Sequence, residues 1–415
     1  MRKRLRNRLA EMFIAGGMLC PAAGTAVSQP VPTGDGSAAA AQILARATAA
    51  VAAQTVRPES FRKAGDPDDT GALQAALDTG KSVLLSDNHV YQISHVLIMR
   101  TGQRLSGSGP HTVLRATAAW PPPPRSGNGY TVVSNLHYSA PTTTDRGLIV
   151  ENLAIDGSAV TGPNGGFHGI GFRQAADVVV RNVTCTNVGD CTAFEATTDT
   201  LVTDSAASGV TNVAFDHWEG PRNAIVTRSV VHVAPRGDGV MFTGAAGTWT
   251  TQRDRSGGHD VASHIQVYGP ALAGVIANVL TPGSSLTDVT FEDCHIDLQN
   301  GPGSHGIVIA GNITNSRIDH AVIENLNGGD AIAVTRDQWN TPDTVTISNS
   351  RVANARTSER NVAPVVALGR HHRVVNVEIT GGDYPYAVWT NDRSTTVDSH
   401  IAPGKHGGIL LRPPP

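Results

Sequence analysis

The 415-residue chain carries 32 Lys and Arg against 35 Asp and Glu, a net charge of −3, with 40 % hydrophobic and 5 % aromatic residues. That balance lacks the basic footprint of a nucleic-acid binder. Beyond the N-terminal segment no apolar stretch is long enough to span a membrane.

In chain order, residues 1–28 read as an export signal. Arg2, Lys3, Arg4, Arg6 and Arg8 precede a short apolar run that closes on Gly24, Ala26 and Ser28. Removing them takes away five basic residues and one acidic, so the net charge moves from −3 to −7. Export implies a periplasmic or extracellular protein. Residues 29–56 form an Ala/Pro-rich leader, helical or flexible. In residues 57–116, Asp69 or Thr70 can cap a short helix whose apolar positions are Ala72, Leu73, Ala76 and Leu77, and Gly80 ends it. Three short strands follow, at 82–86, 95–99 and 113–116.

Residues 117–146 read as a loop carrying Trp120, Tyr130 and Tyr138, and a repeat begins at Gly147. Short apolar runs end on Phe172, Phe194, Phe215 and Phe242, at spacings of 22, 21 and 27. They recur near Ile276, Ile309, Val334, Leu368, Trp389 and Leu411. Between them lie runs of period-2 character, which mark strands. A period in the twenties with such strands marks a parallel β-solenoid, whose coils bury one another's apolar faces. Residues 117–415 are therefore expected to form one solenoid of at least nine coils after Gly147, with the six residues Phe172, Phe194, Phe215, Phe242, Ile309 and Val334 stacked inside. Long insertions at 244–269 and 335–343 carry Trp249, Arg336, Asp337 and Trp339. The loops at 120–138 and 244–269 are expected to flank one groove together with Trp218. Cys185 and Cys191, six apart around a Gly-Asp turn, suit either a local disulfide or buried thiols, with Cys294 left over.

The segments DDTGALQAAL, VLLSDNHVYQI and RLSGSGPHTVL resemble the N-terminal cap of right-handed parallel β-helix proteins of the pectate-lyase superfamily. The resemblance, with the repeats, covers about 350 residues. It implies an all-β fold, a single-stranded right-handed parallel β-helix with an N-terminal capping helix, acting on polysaccharide or oligosaccharide. Within that group VGDCTAF at Asp190 is similar to the paired-Asp motif of polygalacturonases, with Gly189 in place of the first Asp. SHGIVIAG at His305 is similar to their Gly-His-Gly motif, with Ser304 for the first Gly. Neither an Asn-Thr-Asp before Asp190 nor an Arg-Ile-Lys is present. A pectate-lyase-like chemistry or an epimerase is the alternative; the lyase would need acidic Ca²⁺ ligands and an Arg or Lys base, with Arg173, Arg222 or Arg236 available.

Aligning coils on their last aromatic or aliphatic residue puts His168, Asp190, Thr211, Asp238, Leu272, His305 and Asp330 in one column. A second column holds Arg173, Glu195, Asp216, Thr243, Ala277 and Ala310. Carboxylates on neighbouring coils supply the acid and base of glycoside hydrolysis. Asp216 and Asp238 are expected as the core pair, Glu219 and Glu195 as reserves, and Asp190 and His305 as further candidates. Trp218 offers a flat face to a sugar ring. Arg173, His168, Arg222, Arg236 and Trp249 are expected to bind substrate. No resident metal is expected, Ca²⁺ entering only in the lyase reading. Asp in Gly-Asp-Gly and Gly-Gly-Asp contexts is equally a turn former, and a non-catalytic glycan-binding solenoid is the reading from another class. Monomer and trimer both stay open.

Overall fold

The computed structural model describes residues 36–121, 130–140, 143–160, 166–235, 237–245, 256–337, 340–357 and 363–411. Its strands form two long sheets whose named ladders are all parallel between successive coils. A flat sheet of 12 strands takes one strand per coil, from Leu97–Met99 to Gly407–Leu411. A bent sheet of 22 strands supplies the other two walls. Ten strands of the flat sheet follow Gly147, beginning with His168–Arg173. The coiling also starts earlier than the expected repeat: Leu97–Met99 and Thr131–Asn135 already pair in register, Leu97 with Val133.

The bend of the second sheet is built from a column of left-handed residues. Asn152, Asn182, Asp204, Arg228, His264, Asp293, His320, Asn349 and Asn376 have φ between 45° and 55°. Asn and Asp reach this region at low steric cost. Some side chains also bond along the column: Asn182 Nδ2 donates to Asn152 Oδ1 at 2.8 Å, and Asn376 Nδ2 to Asn349 Oδ1 at 2.8 Å.

Inside, the flat sheet contributes two columns. One runs Ile170, Thr192, Phe215, Val240, Val275, Ile307 and Ile332. The other runs Phe172, Phe194, His217, Phe242, Ala277, Ile309 and Val334. Phe215 is buried as expected but stands in the first column; His217 takes the aromatic slot. Phe172 and Phe194 stack at 5.7 Å with planes 4° apart, and His217 lies 5.2 Å from Phe194 and 5.4 Å from Phe242. Each fully buried Phe contributes about 1.5–3 kcal/mol.

Helix α1, Ser37–Ala50, and helix α2, Thr70–Asp78, close the structure on its side and end. Helix α2 buries Ala72, Leu73, Ala76 and Leu77 against the first coils. Its first turn is held by Asp68, whose Oδ1 accepts the Thr70 N–H at 2.9 Å, while Asp69 instead accepts the Gln92 N–H at 2.8 Å. Gly80, at φ 74°, ends it. Helix α1 falls in the expected leader and packs on the outside of the bent sheet. Ile43 and Ala47 meet Ile149, Val179, Leu201, Ile225 and Val261, and Arg46 pairs with Asp177 and Asp199 at 2.6 and 2.9 Å. Gly147 permits this approach, since a Cβ there would lie 2.5 Å from that of Ala50. Cys185 and Cys191 are disulfide-bonded, and Cys294 is a buried free thiol. The expected export signal lies outside the described residues.

Candidate functional site on the outer face of the flat sheet

Three columns of the flat sheet point outward. The first holds His168, Asp190, Val213, Asp238, Ala273, His305 and, by continuing the register, Asp330. The middle one holds Gly171, Ala193, Asp216, Met241, Ile276, Val308 and Ala333. The third begins Arg173, Glu195, Trp218 and continues through Thr243, Asn278, Ala310 and Thr335. The outward direction follows from packing: Val213, Met241, Ala273, Ile276, Val308, Ala310 and Ala333 form a cluster of their own, with Trp218 against it, separate from the main core.

Two expectations about register are corrected. Val213 and Ala273, not Thr211 and Leu272, occupy the first column. Asp216 does not share a column with Glu195; it stands level with Ala193, Trp218 is level with Glu195, and Asn278, not Ala277, continues that column. Counting from Phe215 slipped that coil by two residues, because His217 holds the position that Phe172 and Phe194 hold in theirs.

The first column joins coils together. Asp190 Oδ1 accepts the Val213 N–H at 2.8 Å and the Asn212 side chain at 2.6 Å, and its Oδ2 lies 2.7 Å from His168 Nδ1. Asp238 Oδ1 accepts the Ala273 N–H at 2.7 Å, and His305 Nδ1 accepts the Asp330 N–H at 3.1 Å. Each bond satisfies a backbone donor at a strand start, where the turn supplies no ladder partner. Asp190 is thus occupied on both oxygens.

The third column opens with a buried ion pair. Arg173 donates Nε to Glu195 Oε2 at 2.8 Å, and its Nη2 reaches the same oxygen. Tyr138, from the segment after the strand Thr131–Asn135, covers the pair. Its ring centroid is 4.6 Å from Arg173 Cζ, and its hydroxyl donates to Glu195 Oε1 at 3.3 Å. The sequence marked Tyr138 only as a loop aromatic; its contact with Arg173 depends on where the loop folds back. Trp120, by contrast, packs edge-on against Phe167 at 5.2 Å, beside the start of the next strand.

Asp216 is 2 % exposed in the middle column, between Ala193 and Met241. Trp218 is half-buried on the same strand. Glu219 is buried at the corner that follows, with φ 66°. Asp238 is on the next coil opposite Val213, so three strand residues and one interstrand step separate it from Asp216. That offset is about 11 Å between Cα atoms.

Farther along, His305 and Asp330 are both buried on neighbouring coils. Burial lowers the imidazole pKa to about 4 and raises that of the carboxyl to about 8. Arg222 is not on this face: it starts a strand of the bent sheet, is exposed, and donates Nε to Ser256 O at 3.2 Å. Arg236, Trp249 and Trp339 lie outside the described residues, so of the insertion at 244–269 only its ends are placed, Gly257–Gly258 entering the bent sheet. Among the described residues no group of three or more His, Cys, Asp or Glu side chains is arranged to hold a metal ion, and no helix is long and apolar enough to cross a membrane.

No protein-family model matches the sequence, and the comparison with curated proteins gives no match. Solved structures do match. An exopolygalacturonase from Thermotoga maritima aligns with a TM-score of 0.62 at 10 % identity, over 89 % of this chain and 96 % of the other. The mannuronan C-5 epimerase A-module of Azotobacter vinelandii aligns at 0.51 and 15 % identity, over 87 % and 98 %. The tailspike of E. coli bacteriophage HK620, solved with a pentasaccharide, aligns at 0.58 and 11 % identity, over 86 % and 67 %. Identities this low carry the fold and not the reaction, and on that ground the chain is a right-handed parallel β-helix protein.

Proposed function

We propose that this protein is an exported, carbohydrate-active enzyme, a glycoside hydrolase working on the outer face of the flat sheet with Asp216 and Asp238. One observation carries the reading. Asp216 is a buried carboxyl in a column otherwise filled around it by Gly171, Ala193, Met241, Ile276 and Val308, and it stands beside Trp218. A carboxyl this buried, standing beside an aromatic face, is a candidate acid catalyst. Trp218 supplies a face for the sugar ring.

In this reading Asp216 gives its proton to the glycosidic oxygen as the bond to the anomeric carbon breaks. Asp238 takes a proton from the water that attacks the opposite face. The water hydroxyl ends on the anomeric carbon, and both acids are reset by exchange with solvent. The Cα offset of about 11 Å favours the wider carboxyl spacing of inverting enzymes, about 6.5–9.5 Å, over the roughly 5 Å of retaining ones. Glu219 is the reserve acid. Glu195 is held by Arg173 and Tyr138 and serves the shape of the site. The Cys185–Cys191 disulfide supports export, since such bonds persist in oxidising compartments. The neighbours named above as a polygalacturonase and a pentasaccharide-bound tailspike support a glycan as substrate.

A binding solenoid is the second reading, favoured by Asp190 and Asp238, whose oxygens bond backbone of the next coil. Product analysis on a polysaccharide panel separates these. New reducing ends without ultraviolet-absorbing unsaturated uronates support a hydrolase. Unsaturated products would mean a lyase, and unchanged polymer with measurable binding would mean a binding module.

A further inference from the structure

We infer that Asp330 and His305 form a hydrogen-bonding subsite for a sugar residue of the glycan, on the same outer face but three coils past Asp238. The inference rests on reading this face as the glycan-binding face. Asp330 is 4 % exposed, yet its carboxyl makes no hydrogen bond. Oδ1 is buried without a partner, and Oδ2 stays 3.6 Å from His305 Nδ1. That Nδ1 is already engaged by the Asp330 backbone N–H at 3.1 Å. Asp190 and Asp238 in the same column each accept a backbone N–H from the following coil, and Asp330 does not. The position therefore lacks the joining role that explains its neighbours. A carboxyl buried without a bond calls for a missing partner.

The surroundings fix its chemistry. The preceding strand brings His305, and the following coil brings Ala363 and Pro364. Asp238, three coils away, is about 14 Å distant. Arg336 and Asp337 lie past the far end of the strand Ile332–Thr335. With no cation beside it, burial keeps the carboxyl protonated to about pH 8, and burial keeps the imidazole neutral above about pH 4. The bond accepted at Nδ1 places the imidazole proton on Nε2. A neutral carboxyl offers one O–H donor and one carbonyl acceptor, the pair that neighbouring sugar hydroxyls can meet. Ionised, it loses the donor.

The test measures binding without turnover, in the full chain carrying Asp216→Asn. Short oligosaccharides of galacturonate, mannuronate, glucose and xylose are titrated by calorimetry below and above pH 8. At least one is expected to bind. Adding Asp330→Ala should weaken it about tenfold or more, while Asp330→Asn, which keeps one donor and one acceptor, should weaken it less. The parent should lose affinity above pH 8 and the Asn variant should not. Equal affinity in the Ala variant, a flat pH profile in the parent, or no binding by any of the four sugars overturns the subsite. Hydrolysis that needs Asp216 while Asp330→Ala leaves binding unchanged would end the subsite and keep the hydrolase. Asp330-dependent binding without any hydrolysis would do the reverse.

Discussion

Replacing Asp330 by Asn should stabilise the fold at neutral pH, and by an amount that depends on pH in a defined way. The carboxyl is 4 % exposed and its pKa is pushed up to about 8 by burial, against an ordinary value of 3.8. Below pH 3.8 the acid is protonated in folded and unfolded chains alike, so it contributes no pH dependence. Between pH 3.8 and 8 the folded chain holds a proton that the unfolded chain has released. Stability then falls as pH rises, by about 1.4 kcal/mol per unit. At pH 7 this amounts to about 4 kcal/mol, a large share of the 5–15 kcal/mol typical of a domain. Above pH 8 the loss levels off. Asn has nearly the same shape and does not ionise, so it removes only this part and leaves the cost of burying an amide. Urea unfolding of both proteins across pH 5–9 reads the difference, which isolates position 330 from the other titrating groups. His305, lowered to about 4, changes stability between about pH 6.5 and 4 in parent and variant alike and so cancels in the difference. The variant should gain steadily up to pH 8. An Asn variant less stable than the parent at pH 7 would mean an ionised, bonded carboxylate, and both this reasoning and the subsite would fall.

Asp216→Asn should lower turnover about 10²–10⁴-fold without lowering the melting temperature, measured on the glycan that gives reducing ends; a near-parental rate removes Asp216 from the mechanism. His217, buried between Phe194 and Phe242 with its pKa lowered to about 3, contributes stability present above pH 6.5 and lost as pH falls toward 3. His217→Phe should therefore flatten acid unfolding, read by fluorescence across that range; identical acid midpoints would refute it. Cys191→Ser opens a bond closing a short loop and should cost about 2 kcal/mol in denaturant unfolding, an effect that reductant reproduces in the parent chain.

Much of the fold is legible along the chain because it is local and periodic. The runs ending on Phe172, Phe194 and Phe242 state the coil length, and the apolar spacing of Ala72, Leu73, Ala76 and Leu77 states the capping helix. The phase within each coil is not so stated. Strand alternation repeats every two residues, so a shift by two leaves every inside position inside. Turn length, which carries no apolar pattern, sets that shift. This is why Phe215 was an unsound mark for its coil, and why Asp216 moved from the edge column to the middle one. Three further features needed distant parts of the chain to meet: α1 lying across the bent sheet, Tyr138 closing over Arg173 and Glu195, and the missing bond of Asp330. The sequence presents Asp190, Asp238 and Asp330 as three similar acids at strand starts. Only the tertiary structure separates them, because a carboxyl's role is set by the donors within about 3 Å of it, and those donors lie a full coil away in the chain.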